Sequence, residues 1–240
     1  PGDPRWAAMA RLVDGRSDTL DRLAAEVRET SVNHDGSGDD GPARIAAFFD
    51  RAVAHSAEAS VALYSLGDPA ILEAATNEIV GWLVSHRLLH PAADVLDLGC
   101  GIGRVAAAMA PHCRSVLGLD VSGGMVAEAR RRYARLRFEQ TDGRGLDAMP
   151  DGAFDLMLVV DAMPYIVQGG VALVDAHFAG AARVLRAGGA LVVLNFSYRG
   201  DRDADRADAA GLADRHGFTV EQAGATPFGV WDGAAYVFRR

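Results

Sequence analysis

Carboxylates recur at the ends of short apolar runs in the middle of this chain. Asp97 stands inside Val95-Leu96-Asp97-Leu98, Asp120 closes Gly118-Leu119-Asp120, Asp142 lies in Thr141-Asp142-Gly143, and Asp161 follows Val160. An ionised carboxylate only accepts hydrogen bonds, so each suits an N–H donor, a pair of hydroxyls or a cation. The first of them runs into a glycine turn, Asp97-Leu98-Gly99-Cys100-Gly101-Ile102-Gly103-Arg104. Glycines there let the backbone bend sharply and let a ligand approach without a Cβ in the way. A helix N-terminus beyond adds oriented N–H donors. The pattern alone leaves several readings open. Gly101-Ile102-Gly103-Arg104-Val105-Ala106 fits the dinucleotide form G-x-G-x-x-A, with Asp120 at the distance expected for a ribose contact, so a nicotinamide enzyme is one reading. A tight structural turn without a ligand is another.

The whole stretch fits Asp-x-Gly-x-Gly-x-Gly and resembles the first motif of the class I S-adenosylmethionine-dependent methyltransferases. The resemblance implies a glycine loop (Gly99, Cys100, Gly101, Gly103) under the amino-acid and ribose part of the cofactor, with Asp97 near its amino group. A carboxylate facing an ammonium is sensible, whereas facing a pyrophosphate it would be repelled. Four further positions agree. Asp120 and Val121 end the second strand, where the family's acid takes the ribose hydroxyls. Asp120-x-Ser122-x-x-Met125 puts a Met where the family packs one on the adenine, and Thr141-Asp142-Gly143 supplies an acid for the adenine amino group. Pro150–Leu156 enters the fourth strand as the family does, and Val160-Asp161 ends it. Ala182–Gly189 resembles the turn before the fifth strand, with Ala187 where Pro is frequent. The likeness runs from about Tyr64 to Arg240, and Tyr64 itself is expected beside the cofactor as an aromatic face near a cation. The implied function is methylation of a small-molecule acceptor, with S-adenosylhomocysteine as product. A NAD(P)-dependent oxidoreductase and a non-catalytic module that binds S-adenosylmethionine are the rivals.

Methyl transfer from a sulfonium is an in-line displacement that needs positioning and exclusion of water more than any one catalytic group. The candidates are Asp161, Tyr165 and Asn195, at the carboxyl ends of the fourth and fifth strands, where open α/β sheets bind ligands. Asp161-x-x-Pro164-Tyr165 is faintly similar to the Asp-Pro-Pro-Tyr motif of amine-methylating nucleic-acid enzymes, with a spacing one residue off. His177, Tyr198 and Trp231 are further polar or aromatic residues of the second half. His177 reads as a mid-helix residue, the 201–214 charge run as a solvated helix face, and Cys100 as a small core residue.

The elements that hold these residues follow from the apolar periodicity. Five short runs, Asp94–Leu98, Ser115–Asp120, Arg137–Thr141, Phe154–Val160 and Ala190–Phe196, alternate with helices over Gly103–Ala110, Gly123–Ala134 and Val171–Arg186, the last closed by Gly188-Gly189. A helix over Ala204–His216 precedes a terminal hairpin, Phe218–Ala223 and Ala234–Arg239. The fold expected is α/β, a Rossmann-like seven-stranded, mostly parallel sheet with helices on both faces. A helical segment, 1–90, precedes this 91–240 domain as a lid over the cofactor or an interface. It comprises two helices between Asp3 and Glu29, a polar linker over 31–42, a helix over Ile45–Ala54, and another that begins at the cap Asp68-Pro69 and ends before Pro91.

Composition narrows the class. A formal charge of −8 argues against a phosphate-backbone binder, so no nucleic-acid partner is expected. No apolar run reaches the roughly 18 residues a membrane span needs, so no membrane partner is expected either. The start, Pro1–Trp6, lacks the pattern of a signal peptide. Cys100 and Cys113 form no metal-binding spacing, so no metal is expected. The expectation is a cytoplasmic monomer or homodimer.

Overall fold

The computed structural model describes residues 41–61, 68–231 and 233–240. The two helices expected before Glu29, most of the 31–42 linker, and Tyr64 lie outside these residues. Among the described residues three helices precede the sheet: α1 (Gly41–His55), α2 (Ala57–Val61) and α3 (Pro69–Ser85). Gly41 and Pro42, expected in the linker, instead form the first turn of α1, where the N–H that proline lacks has no helical partner to lose. Asp68 caps α3 by accepting the Ala70 N–H at 2.9 Å, with Pro69 in the first turn.

From there strands and helices alternate: β1 (Asp94–Leu98), α4 (Arg104–Met109), β2 (Ser115–Asp120), α5 (Gly123–Arg132), β3 (Arg137–Gln140), β4 (Phe154–Val160), α6 (Met163–Gln168), α7 (Val171–Val184), β5 (Leu185–Leu194), α8 (Arg202–His216), β6 (Thr219–Ala225) and β7 (Ala235–Arg239). The sheet runs in the order 3-2-1-4-5-7-6, and β7 is antiparallel to both its neighbours. Successive strand residues point to opposite faces. Val95, Val116, Leu156, Leu158 and Val192 pack under α3, α4 and α5; Leu96, Leu119, Met157, Val159 and Val193 pack under α7 and α8. Both faces are thus buried, which is why these strands read as continuous apolar runs. The architecture is a Rossmann-like α/β fold with a terminal antiparallel hairpin.

Several boundaries differ from the sequence expectation. The helix expected to reach Arg186 and close on Gly188-Gly189 ends at Val184, and β5 starts at the next residue. Arg186 is drawn out of the helix by two carboxylates, Asp155 at 2.5 Å and Asp94 at 2.9 Å. The glycines form an irregularity inside β5, where pairing jumps from Phe154↔Leu185 to Leu156↔Ala190. A Cβ on Gly189 would stand 2.9 Å from the Arg186 carbonyl oxygen. β5 stops at Leu194, two residues before its expected end, because Asn195 turns to φ 68. β3 stops at Gln140, α5 stops at Arg132, and α6 was not expected. In the 201–214 run, Asp205 is not solvated: it is buried, accepts the Ser197 hydroxyl at 2.7 Å and pairs with Arg199 at 2.8 Å. Among the described residues no helix is long and apolar enough to cross a membrane.

Candidate active site

The carboxyl ends of β1, β2, β4 and β5 meet along one edge, and α1 and the short α2 lie over it. After β1 the chain turns through Gly99 (φ 75) and Gly101 (φ 53), a region that side chains other than glycine rarely adopt. Each glycine also seats a neighbour. A Cβ on Gly99 would lie 2.3 Å from the Ala162 Cβ, and one on Gly101 would lie 2.8 Å from Val61 Cγ1 of α2. Gly103 opens α4 and packs on the Phe138 ring and Ala129. The Cys100 side chain is buried in the core layer against Gly118, so this residue offers the loop only its backbone.

Two carboxylates lie under the turn. Asp97 is 2 % exposed, and its Oδ2 has no hydrogen-bond partner among the described residues. Burial pushes its pKa up to about 7; Arg104 opposes the shift and Asp120 adds to it. The Arg104 guanidinium is itself directed to the Thr76 hydroxyl of α3, at 2.6 Å. Asp120 accepts the Gly101 N–H at 2.8 Å on Oδ2 and the Ser122 N–H at 2.9 Å on Oδ1. Burial raises its pKa, and these amides oppose that. Ser122 caps α5 by accepting the Met125 N–H at 3.0 Å, and its hydroxyl donates to Asp50 of α1 at 2.6 Å.

Beyond β2 and β3 lie the remaining residues expected near a cofactor. Met125 is buried, with its sulfur 3.9 Å from the Ser60 hydroxyl of α2. Val121 and Thr141 are half-buried. Gly143 (φ 71) packs so closely that a Cβ there would stand 2.5 Å from Val121 Cγ1. Asp142 is exposed and closes a local turn by accepting the Arg144 N–H at 2.9 Å.

A second cluster forms where β4 and β5 end. Val160 leads into Asp161 (φ 54), and Leu194 into Asn195 (φ 68); both are non-glycine residues in the left-handed region. The Asn195 carboxamide donates to Asp161 Oδ1 at 2.6 Å and accepts the Ala234 N–H at 3.0 Å. The Tyr198 hydroxyl donates to the same Asp161 oxygen at 3.2 Å. Tyr165 stands edge-on between Tyr198 and Phe49 of α1, with ring centroids 5.9 and 5.3 Å away. Burial, with Asp161 adding, pushes the Tyr165 hydroxyl up to about 12.

The structure thus brings Asp161, Tyr165 and Asn195 together, and Asp97, Asp120 and the glycine turn together. Other residues fall elsewhere. His177 is buried in α7, its Nδ1 2.8 Å from the Leu173 carbonyl, and burial lowers its pKa. Trp231 is buried in the core layer against Phe228. Tyr64 lies outside the described residues. Phe49, Asp50 and Val61 carry no local motif; only the placement of α1 and α2 over the sheet edge reveals them.

Comparison with known proteins bears on the domain and the fold. Residues 95–189 match a family model described as a methyltransferase domain. The chain is 33% identical over 159 residues to a demethylmenaquinone methyltransferase of Beutenbergia cavernae, covering 66% of this chain and 60% of that protein. It is 28% identical over 137 residues to the S-adenosyl-L-methionine-dependent Diels-Alderase iccD of Talaromyces variabilis, covering 54% of this chain and 44% of that protein. The chain therefore spans roughly half the length of these relatives. Among solved structures, it superposes on magnesium protoporphyrin IX methyltransferase of Synechocystis PCC 6803 with a TM-score of 0.62 at 18% identity, covering 85% of this chain and 99% of that one.

Proposed function

We propose that the chain is a class I S-adenosylmethionine-dependent methyltransferase and that it transfers a methyl group from S-adenosylmethionine to a small-molecule acceptor. The observation that carries this reading is Asp97, a buried carboxylate whose Oδ2 has no partner among the described residues. A polar atom left so costs on the order of 1–3 kcal/mol, more when charged, until something satisfies it. The α-ammonium of the cofactor supplies both the opposite charge and the donors, whereas the pyrophosphate of a nicotinamide cofactor brings a like charge to the same place.

Asp97 holds that ammonium, and the Gly99–Gly101 backbone lies under the amino-acid part. Asp120 uses two of its roughly four acceptor positions on Gly101 and Ser122, which leaves room for two ribose hydroxyls. Val121, Met125, Thr141, Asp142 and Gly143 border the adenine. S-adenosylmethionine, when bound, supplies an electrophilic methyl group on a positively charged sulfur. This chain's residues hold the acceptor opposite it and keep water out. Asp161, oriented by Asn195 and Tyr198, accepts the hydrogen bond or the proton of the acceptor, and Tyr165 walls the site. Within segment 1–90, α1 and α2 act as a lid on domain 91–240, while α3 packs on the sheet as core. The charge of −8 and the two unpaired thiols support a cytoplasmic monomer or homodimer without a nucleic-acid or membrane partner.

Calorimetry with S-adenosylmethionine, S-adenosylhomocysteine and NADH, followed by a labelled-methyl assay over a metabolite panel, tests the reading. Binding of NADH but neither sulfur compound overturns it. The relative named as a Diels-Alderase favours a second reading, in which the chain binds S-adenosylmethionine without spending its methyl group. Cofactor binding with no labelled product across the panel supports that alternative.

A further inference from the structure

We infer that Asp50 is a positioning residue that ties α1 to the cofactor site and, through its neighbour Phe49, sets the wall of the acceptor site. The inference rests on reading Asp120 and the glycine turn as the cofactor site. One carboxylate oxygen of Asp50 accepts both the Ser122 hydroxyl at 2.6 Å and the Gly124 N–H at 2.8 Å. Ser122 passes the chain on through its N–H to Asp120, and Asp120 receives the Gly101 N–H on its other oxygen. A continuous run of hydrogen bonds therefore links α1 to the glycine turn. Phe49, the preceding residue, meets the Tyr165 ring edge-on at 5.3 Å; Tyr165 meets Tyr198, and Tyr198 donates to Asp161.

Adjacent residues project about 100° apart on a helix. To reach both sides, α1 must lie between α5 and α6, and it packs against both. Its hold on α5 is electrostatically favourable, because a negative charge near the first turn of a helix meets its unpaired N–H groups. The ion pair of Glu58 in α2 with Arg132 in α5, at 2.8 Å, and the seat of Val61 on Gly101 fasten the same layer. Asp50 itself is exposed, so it adds little to the core, and its substitution leaves the fold intact. A cofactor that engages Asp120 thereby steadies α1, and α1 steadies Tyr165. The acceptor wall, already formed, is thus held more firmly once the cofactor has bound.

The test follows hydrogen exchange of the full chain with and without S-adenosylhomocysteine, alongside calorimetry. In the unsubstituted protein the compound is expected to slow exchange in both 41–55 and 163–168. Asp50→Ala is expected to weaken its binding by about tenfold and to remove the slowing in 163–168. Asp50→Asn keeps an acceptor oxygen in place and stays within about threefold. Phe49→Ala keeps the affinity and the slowing in 41–55 but loses it in 163–168. Equal affinity and equal exchange in Asp50→Ala and the unsubstituted protein overturn the inference while leaving the cofactor reading intact. An Asp50→Asn variant as weak as Asp50→Ala overturns the hydrogen-bond account. If the unsubstituted protein does not bind S-adenosylhomocysteine at all, the cofactor reading itself fails.

Discussion

Asp161 and Asn195 sit at the ends of neighbouring strands, both with positive φ, and the carboxamide of one donates to the carboxylate of the other at 2.6 Å. Each pays a backbone penalty that the hydrogen bonds around it offset, and such residues gather at functional sites. Asn195→Gly keeps the φ of 68 at no steric cost and removes only the side chain, whereas Asn195→Ala also forces a Cβ into that region. Alanine is expected to be the less stable by about 1 kcal/mol. Both should lose turnover to a similar degree, since both remove the carboxamide that orients Asp161. Thermal melts that place alanine at or above glycine would remove backbone strain from the explanation.

Asp97 gives a pH dependence of definite sign. Its folded pKa of about 7 lies above the ordinary 3.8, so between those values the folded, ligand-free chain binds more protons than the unfolded one. This contribution to stability is full below about 4 and is lost as pH rises through about 7. Asp97→Asn should therefore gain in melting temperature relative to the unsubstituted protein as pH is raised from about 5 to 8.

Ligand binding should show the complement. An ammonium favours the ionised carboxylate, so S-adenosylhomocysteine binding should release a proton and strengthen from about pH 5.5 to 7.5, until at higher pH the α-amino group itself loses its proton. In Asp97→Asn the acid limb should flatten and affinity fall by at least about tenfold. Calorimetry in buffers of different ionisation enthalpy counts the proton; a count of zero at pH 6.5 would contradict the assigned role.

Asp120→Ala removes the acceptor for two backbone amides as well as for the ribose. Cofactor binding should weaken by about 1.5–3 kcal/mol, the scale of hydrogen bonds to a charged group. An unchanged dissociation constant in a folded variant would leave Asp120 as a brace for the glycine turn only.

Gly101→Ala should abolish S-adenosylhomocysteine binding, through the positive φ and the collision 2.8 Å away with Val61. The two causes separate in Gly101→Ala/Val61→Ala, which removes the collision but keeps the strain. Partial recovery of affinity is expected, and a double variant no better than the single would assign the whole effect to the backbone.

Much of this arrangement is legible in the sequence. The buried strands read as apolar runs because both sheet faces are covered, and Asp97, Asp120, Asp161 and Asn195 stand out as polar residues in or just after those runs. What stayed hidden depends on distant segments. α6 was obscured because Pro164 falls in its first turn and reads as a break. The end of α7 is not legible locally because Arg186 answers to Asp94 and Asp155, which lie far from it in sequence. Asp50 looks like any surface acid after two phenylalanines until α1 is laid across α5.

The absence of any connecting residue between α7 and β5 has a consequence for how this protein varies over evolutionary time. One inserted residue there, unless the irregularity at 186–189 absorbs it, must either rotate α7 by about 100° against α8 or turn every side chain of β5 to the opposite face. Val193 and Val192 would exchange layers, and Asn195 would leave Asp161. Related chains are therefore expected to keep a constant length across the end of α7 and the paired part of β5, 190–195.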